Sequence, residues 1–299
     1  MRLRFGAKER EPASPFWDAQ DVNDHAPKVW WDGAKTIYHF VEARQHGDNL
    51  VRRSIDNGVT WSKAEVLRTH GESAGSPIRT MEGVIAMPYD NSSLVISRDN
   101  GRTWQSRGCD LRGNDCVRPG NSGPSIAGIY APIVELADGR FMAFGRLSPE
   151  EPAQKLFNLK MPASYSSDLG ETWHWEISEF PVVSNGQRPA MLRLKEGPIV
   201  LCSFTDQWRT PFKVRQGMTF KSTTGTYTGC GLYAAVSYDE GKTWPDRRLL
   251  APEGKNTADG YGYLAATQTR DGRIQLITSQ NHYAFNLEWI KQMPLAQKK

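Results

Sequence analysis

Ser237–Trp244 reads SYDEGKTW, and three near copies precede it: SIDNGVTW at Ser54–Trp61, SRDNGRTW at Ser97–Trp104 and SSDLGETW at Ser166–Trp173. Ser, Asp, Gly, Thr and Trp hold the same offsets in all four copies. The chemistry is that of a strand turning back on itself. The Asp carboxylate accepts hydrogen bonds from N–H groups of the turn. Gly supplies a positive φ that a Cβ resists, and Thr and Trp re-enter an extended strand. Trp61, Trp104, Trp173 and Trp244 are expected to bury aromatic surface between neighbouring sheets. Asp56, Asp99, Asp168 and Asp239 read as turn fixtures rather than catalytic acids or metal ligands, since a catalytic acid is not needed in every copy.

A second repeat runs ahead of the phrases. VWWDGAKTIYHF, IRTMEGVIAMPY, IVELADGRFMAFG, LRLKEGPIVLCSF and TQTRDGRIQLITS each give an apolar strand, an acidic-Gly turn and another apolar strand. That is the strongest short-range hairpin signal. The turn glycines, Gly33, Gly83, Gly139, Gly197 and Gly272, recur at roughly 50 to 75 residues, the spacing of propeller blades. One such hairpin and a second closed by the phrase make a four-stranded antiparallel sheet. The expected fold is all-β, a β-propeller of four-stranded blades with five units visible. The fifth unit lacks the phrase. NHYAFNLEWIKQ reads there as a final strand pair, and RLRFG near the start is a candidate outer strand closing the ring. Residues 1–22 form that N-terminal segment, 23–292 the propeller and 293–299 a tail. Residues 1–22 are too few to build a sixth blade, so either the ring has five blades or an N-terminal blade is incomplete or absent.

Bulk properties exclude several classes. With 38% hydrophobic and 23% charged residues the composition is that of a globular chain, not of a disordered one. The net charge of +4 does not gather into a basic run, so nucleic acid and membrane are not expected partners. The sequence holds no run of about eighteen apolar residues, which excludes a spanning helix. The opening MRLRFGAKEREP lacks the apolar core of a secretory signal. As written this reads as cytoplasmic, and as extracytoplasmic if the N-terminus is truncated. Cys109, Cys116, Cys202 and Cys230 fit no zinc spacing; Cys109 and Cys116 flank a short loop and could pair or stay as thiols. With no phosphate-cradling Gly loop and no clustered ligands, neither cofactor nor metal is expected.

The phrase matches the Asp-box, S-x-D-x-G-x-T-W, also called the BNR repeat. The chain thereby resembles the sialidase (neuraminidase) superfamily of β-propellers over roughly residues 23–290. It looks closest to bacterial sialidase-family proteins in GLYAAVSYDEGKTWPDRRLL and GYGYLAATQTRDGRIQLITSQNHYAFNLEWI. The resemblance implies a six-bladed relative, boxes set away from the active face, and a site that cleaves a carboxylate-bearing sugar. It implies three arginines on the carboxylate, a Tyr nucleophile assisted by Glu, and an Asp acid/base. Arginine suits the task because it pairs bidentately with a carboxylate. A neutral phenol approaches an anionic sugar without the repulsion that a carboxylate nucleophile meets.

Carried over by position, Tyr261 in GYGYL stands where the nucleophile is implied, with Tyr263 two residues on. The implied Glu is missing: the entrance to the fourth hairpin reads NGQRPAML and offers Gln187 and Arg188. The family's Arg-Ile-Pro motif is absent too, and Arg79 in SPIRTMEG is not equated with its arginine. Arg146, ending FMAFGR, is a clamp candidate. Asp24 and His25, ahead of the first inner strand, are the acid/base candidates, since a carboxylate beside an imidazole raises its basicity. Asn-Asp-His before Pro27 also reads as plain turn chemistry. Asp90, Tyr130 and His282 occupy matching entry or exit positions of other units. The expectation is that Asp24, His25, Arg79, Asp90, Tyr130, Arg146, Gln187, Arg188 and Tyr261 ring one pocket opposite the boxes, with His282 near Tyr261. The expected activity is exo-glycosidic hydrolysis of a terminal acidic sugar from a glycan. The alternatives are a non-catalytic glycan-binding propeller, in which Trp30, Trp31 and Trp208 stack on sugars, and a lyase or hydrolase acting on uronic-acid polysaccharide.

Overall fold

The structure is a computed structural model that describes residues 24–43, 48–67, 73–89, 93–108, 121–149, 151–183, 186–205, 217–252 and 262–293. Cys109, Cys116, Asp90, Trp208, Tyr261 and the RLRFG segment lie outside them, and of Asp24 and His25 only the backbone is described.

Five blades follow one another along the chain. The first is β1 (Asp24–Trp31), β2 (Ile37–Ala43), β3 (Asp48–Ser54) and β4 (Glu65–Val66). The second is β5 (Ile78–Arg79), β6 (Ile85–Pro88), β7 (Leu94–Ser97) and β8 (Gln105–Arg107). In the third, β9 (Ser122–Gly123) adds an outer strand to β10 (Ile133–Glu135), β11 (Phe141–Phe144), β12 (Lys160–Ser166) and β13 (Trp173–Pro181). A short entry strand β14 (Gln187–Arg188) leads to the fourth, built from β15 (Ala190–Arg193) and β16 (Ile199–Phe204), then β19 (Gly231–Ser237) and β20 (Asp246–Pro252). A hairpin that the repeat pattern does not foretell, β17 (Met218–Ser222) with β18 (Gly225–Gly229), is inserted at its middle. Entry strand β21 (Gly262–Tyr263) precedes the fifth blade, which has β22 (Ala265–Gln268), β23 (Ile274–Ile277) and β24 (His282–Phe285) among the described residues. NHYAFNLEWIKQ is not a strand pair: after β24 it forms the helix α1 (Leu287–Lys291). The reason is local, since Asn286 caps it by accepting the Trp289 N–H at 2.9 Å. Among the described residues no helix is long and apolar enough to cross a membrane.

The boxes brace each blade as expected. In each copy Ser Oγ donates to Asp Oδ1 and accepts the Gly N–H, while Thr Oγ1 donates to Asp Oδ2 at 2.5 to 2.6 Å. The Trp Nε1–H closes the turn on the Gly carbonyl. Each later box is also wedged against the blade before it. Trp104 meets Phe40 edge-on at 5.7 Å, and Trp244 meets Phe144 and Phe180 at 5.9 and 5.2 Å. A Cβ on Gly170 would lie 2.4 Å from Leu94, and one on Gly241 2.4 Å from Met142. Box glycine therefore serves the turn and the close approach of blades together. The first box differs, for a Cβ on Gly58 would touch only its own Trp61.

The box carboxylates carry a pH signature. Hydrogen bonds from Thr60, then Ser54, hold the Asp56 carboxyl down at about 2, and Thr103 and Thr243 lower Asp99 and Asp239 in the same way. A carboxyl whose folded value lies below its unfolded value of about 3.9 stabilises the fold above that pH and loses the contribution as pH falls through the folded value. The thermal midpoint is thus expected to drop between about pH 4 and pH 2. Circular dichroism melts showing a flat midpoint over that interval would contradict the box geometry.

Candidate functional site

Entry segments place the candidate side chains. The chain entering the third blade lies against the end of β11, where Ile129 and Arg146 exchange N–H···O bonds of 2.9 and 2.7 Å. Two glycines permit this approach: a Cβ on Gly145 would sit 1.9 Å from the Ala127 carbonyl oxygen, and one on Gly128 2.5 Å from that of Arg146. Tyr130 follows at φ 52, a strained setting for a residue with a Cβ. Strain of this kind is often kept where a side chain must be aimed. Farther along, β14 and β21 pair in parallel and set Arg188 beside Tyr263, extended by the Leu264 N–H donating to the Arg188 carbonyl at 3.0 Å.

These segments assemble an alternating stack. The Arg146 guanidinium lies 4.3 Å from the Tyr130 ring, Tyr130 lies 5.2 Å from Tyr263, and Arg188 lies 4.7 Å over Tyr263. Such cation–π contacts strengthen when desolvated, and Arg146 and Arg188 are only 6% and 8% exposed. Gln187 is buried, and its backbone carbonyl accepts from Arg146 Nη1 at 3.3 Å. The Tyr263 hydroxyl stands 3.5 Å from the same nitrogen, the outer limit of a hydrogen bond. Arg146 Nε is buried with no hydrogen-bond partner, and among the described residues no carboxylate forms a salt bridge with Arg146. A buried cation left so is costly. The arrangement is suited to receiving an anion.

The structure thus brings Tyr130, Arg146, Gln187 and Arg188 together and adds Tyr263, which the sequence reading mentioned only beside Tyr261. The signal for Tyr263 was its place just ahead of an inner strand, matching Arg188 ahead of β15. Asp24 and His25 open β1, the corresponding entry position of the first blade.

Two candidates stand elsewhere. Arg79 sits on the box side, where Nη2 pairs with Asp32 at 3.2 Å and Nη1 donates to Gly83 O and to Asn100 Oδ1, both at 3.0 Å. The cause is a repeat. Four residues before each hairpin glycine stands Val29, Arg79, Glu135, Arg193 or Gln268. Each of the four polar ones ties its blade to the preceding one: Arg79 to Asp32, Glu135 to the Met81 N–H, Arg193 to the Glu135 carbonyl, and Gln268 to the Lys195 N–H. Arg79 is a latch between blades. His282 is the other. It pairs with Ile277 on the exposed face of the fifth blade, with Nε2 2.7 Å from Gln275 Oε1.

Among the described residues, no group of three or more His, Cys, Asp or Glu converges as a metal site would. Residues 24–276 match the model of the BNR repeat-like domain. No curated protein matches the sequence. Among solved structures, a Dyadobacter fermentans protein of unknown function is similar, with TM-score 0.56 and 18% identity over 90% of this chain and 77% of that one. The Hadza microbial sialidase Hz136 gives TM-score 0.57 and 18% identity over 90% of this chain but 53% of its own. The NanB sialidase from Streptococcus pneumoniae gives 0.53 and 18% over 81% and 36%. The chain thus spans about half of the first sialidase and about a third of the second. At these identities the likeness is one of fold.

Proposed function

The chain belongs to the BNR repeat-like domain family, and from that premise we propose that it is a sialidase-like exo-glycosidase acting on a terminal acidic sugar. The observation that carries this reading is the buried Arg146, stacked on Tyr130 with its Nε unspent. Arg146 and Arg188 would hold the sugar carboxylate through charge-assisted bonds. Tyr263 and Tyr130 keep the two guanidinium planes oriented, which limits the entropy lost on binding. Tyr261 would act on the anomeric carbon as stabiliser of the developing positive charge, or as nucleophile with its phenol proton passing to whichever of Asp24 and His25 is not serving as the acid. Asp24 or His25 would donate the proton to the departing glycosidic oxygen and then activate the water that completes hydrolysis.

Gln187 favours a second reading. It is buried, and its side-chain amide cannot take a proton from a tyrosine, so a glycan-binding propeller without turnover is the alternative. Aryl glycosides of sialic and glucuronic acids separate the two. For the enzyme, fluorogenic release is expected and Tyr261→Phe should lower kcat by about a hundredfold or more, as for loss of a covalent catalyst. Binding of the free acid sugar with no release from any glycoside would establish the non-catalytic reading instead.

A further inference from the structure

Arg146 stands just past the end of its strand. The β11–β12 ladder stops at the Phe144–Ala163 pair, and one further bond follows, from the Gly145 N–H to the Pro162 carbonyl at 3.3 Å. In the fifth blade the matching strands turn back at once: Ile277 pairs with His282, and the Thr278 N–H donates to the Asn281 carbonyl at 2.8 Å. In the third blade the chain runs on through a short 3-10 turn, Pro152–Leu156, and returns at Lys160. Carried on in register, the ladder would set Leu147 opposite Lys160. A side chain stands between those two residues. Gln154 is 2% exposed, and its Nε2 donates to the Leu147 carbonyl at 2.7 Å and to the Lys160 carbonyl at 3.2 Å. One amide thus joins the strands where their own bonds have stopped.

The turn that carries Gln154 is itself fixed. The Ser148 N–H donates to Glu151 Oε1 and the Glu151 N–H to the Ser148 carbonyl, each at 3.0 Å. Leu147 and Phe157 are buried in the same core cluster as Trp173 and Trp175. The amide is nevertheless held at a cost. Gln154 Oε1 is buried with no hydrogen-bond partner, and a buried acceptor left alone is destabilising. Turning the amide over would not help, because both carbonyls need the NH2 group. What glutamine brings is a donor without charge. A lysine could also serve the carbonyls, but it would set a second cation against the carbonyl that follows Arg146. A carboxylate would serve neither carbonyl and would compete for the guanidinium.

We infer that Gln154 is a positioning residue of the anion site: by bridging the strands past the end of their ladder, it holds Arg146 where the guanidinium meets Tyr130 and the Gln187 carbonyl. This rests on the reading of Arg146 as a carboxylate ligand. Titration of the full chain with N-acetylneuraminic and glucuronic acids, beside amide hydrogen exchange, tests it. Gln154→Met keeps the length of the side chain and removes the donor. It should speed exchange of the Ile129 and Arg146 amides by roughly tenfold or more. It should weaken acidic-sugar binding by about tenfold or more at a temperature where the variant is fully folded. Gln154→Glu should bind nearly as the wild type does at acid pH, where its protonated carboxyl donates to a carbonyl. Its affinity should then fall as pH rises and a carboxylate comes to face two carbonyl oxygens. A mere fixture of the fold would lower the melting midpoint of both variants and leave the affinity of the folded protein unchanged at every pH. That result would overturn the inference and keep Arg146 as the ligand. Unchanged exchange at both amides in Gln154→Met would overturn it as well. Failure of the wild-type protein to bind either acid would instead remove the anion site, and with it the part assigned to Gln154.

Discussion

Arg146→Met is expected to cost about a hundredfold in affinity for an acidic sugar while leaving thermal stability unchanged or raised, because a buried bidentate guanidinium contributes about 2 to 3 kcal/mol to a carboxylate contact. The two halves of that expectation come from one fact. Arg146 is 6% exposed and its Nε has no partner. In the free protein such a cation is a burden, and replacing a buried charge by an apolar side chain of similar length is often neutral or stabilising. In a complex with an acidic sugar the same cation would find its counter-charge. A structural brace behaves in the opposite way: its removal lowers the melting midpoint and affects ligand only through unfolding. Titration with N-acetylneuraminic and glucuronic acids, beside melting curves of both proteins, separates these cases. A midpoint lowered by several degrees with affinity intact would make Arg146 a fixture of the Ile129 bridge and remove the anion site.

Arg79 is the useful contrast, since it is also an arginine near the end of a propeller strand and does none of this. Its guanidinium is fully engaged by Asp32, Gly83 and Asn100. The information was present in the sequence, because setting the hairpin repeats in register at their glycines aligns Arg79 with Arg193 and Gln268. A side chain that recurs as a polar group in several blades belongs to the architecture, as the box aspartates do. Arg146 has no counterpart of that kind in its repeat. Seven residues after the hairpin glycine, where the third unit has Arg146, the other units have Phe40, Asp90, Phe204 and Ser279. Repetition thus made the blades, the hairpin turns and the role of the box Asp and Gly legible in advance, while the Ser and Thr hydroxyl bonds to the carboxylate come from the structure.

What the repeat could not reveal is what lies between its copies. The Tyr130–Tyr263 contact joins residues far apart in the chain through two unrelated devices, a glycine-permitted bridge and a parallel ladder of two residues. Neither leaves a periodic pattern, for each is only two residues long. The β17–β18 hairpin and the α1 cap are likewise single occurrences set by local chemistry. His282 shows the same limit from another side. Strand parity decides which face it takes, and a register fixed by tertiary packing put it beside Gln275 on the exposed one.

Gly145→Ala should be the most damaging single methyl in the described structure. The added Cβ would stand 1.9 Å from the Ala127 carbonyl oxygen, 2.8 Å from its carbon and 3.0 Å from the Gly128 Cα. All three are backbone atoms, so no side chain can swing aside. Relief requires moving the entry segment off β11, which breaks the paired Ile129–Arg146 bonds and carries Tyr130 away from the guanidinium. The expected cost is about 3 kcal/mol, or a fall of roughly 6 to 12 °C in the midpoint for a domain of this size. Gly139→Ala is the matched control. Unlike Gly145 it has a positive φ, 85, and it has nothing within 4 Å of the new methyl, so only the backbone preference is lost. That preference costs about 1 kcal/mol, or roughly 2 to 4 °C. Because the clash displaces the segment that carries Tyr130, the Gly145 variant should also lose acidic-sugar binding under conditions where the remaining blades stay folded, whereas Gly139→Ala should keep it. If the two variants melted alike and both bound sugar, the contact of the entry segment with β11 would not be what aims Tyr130 and Arg146 at each other.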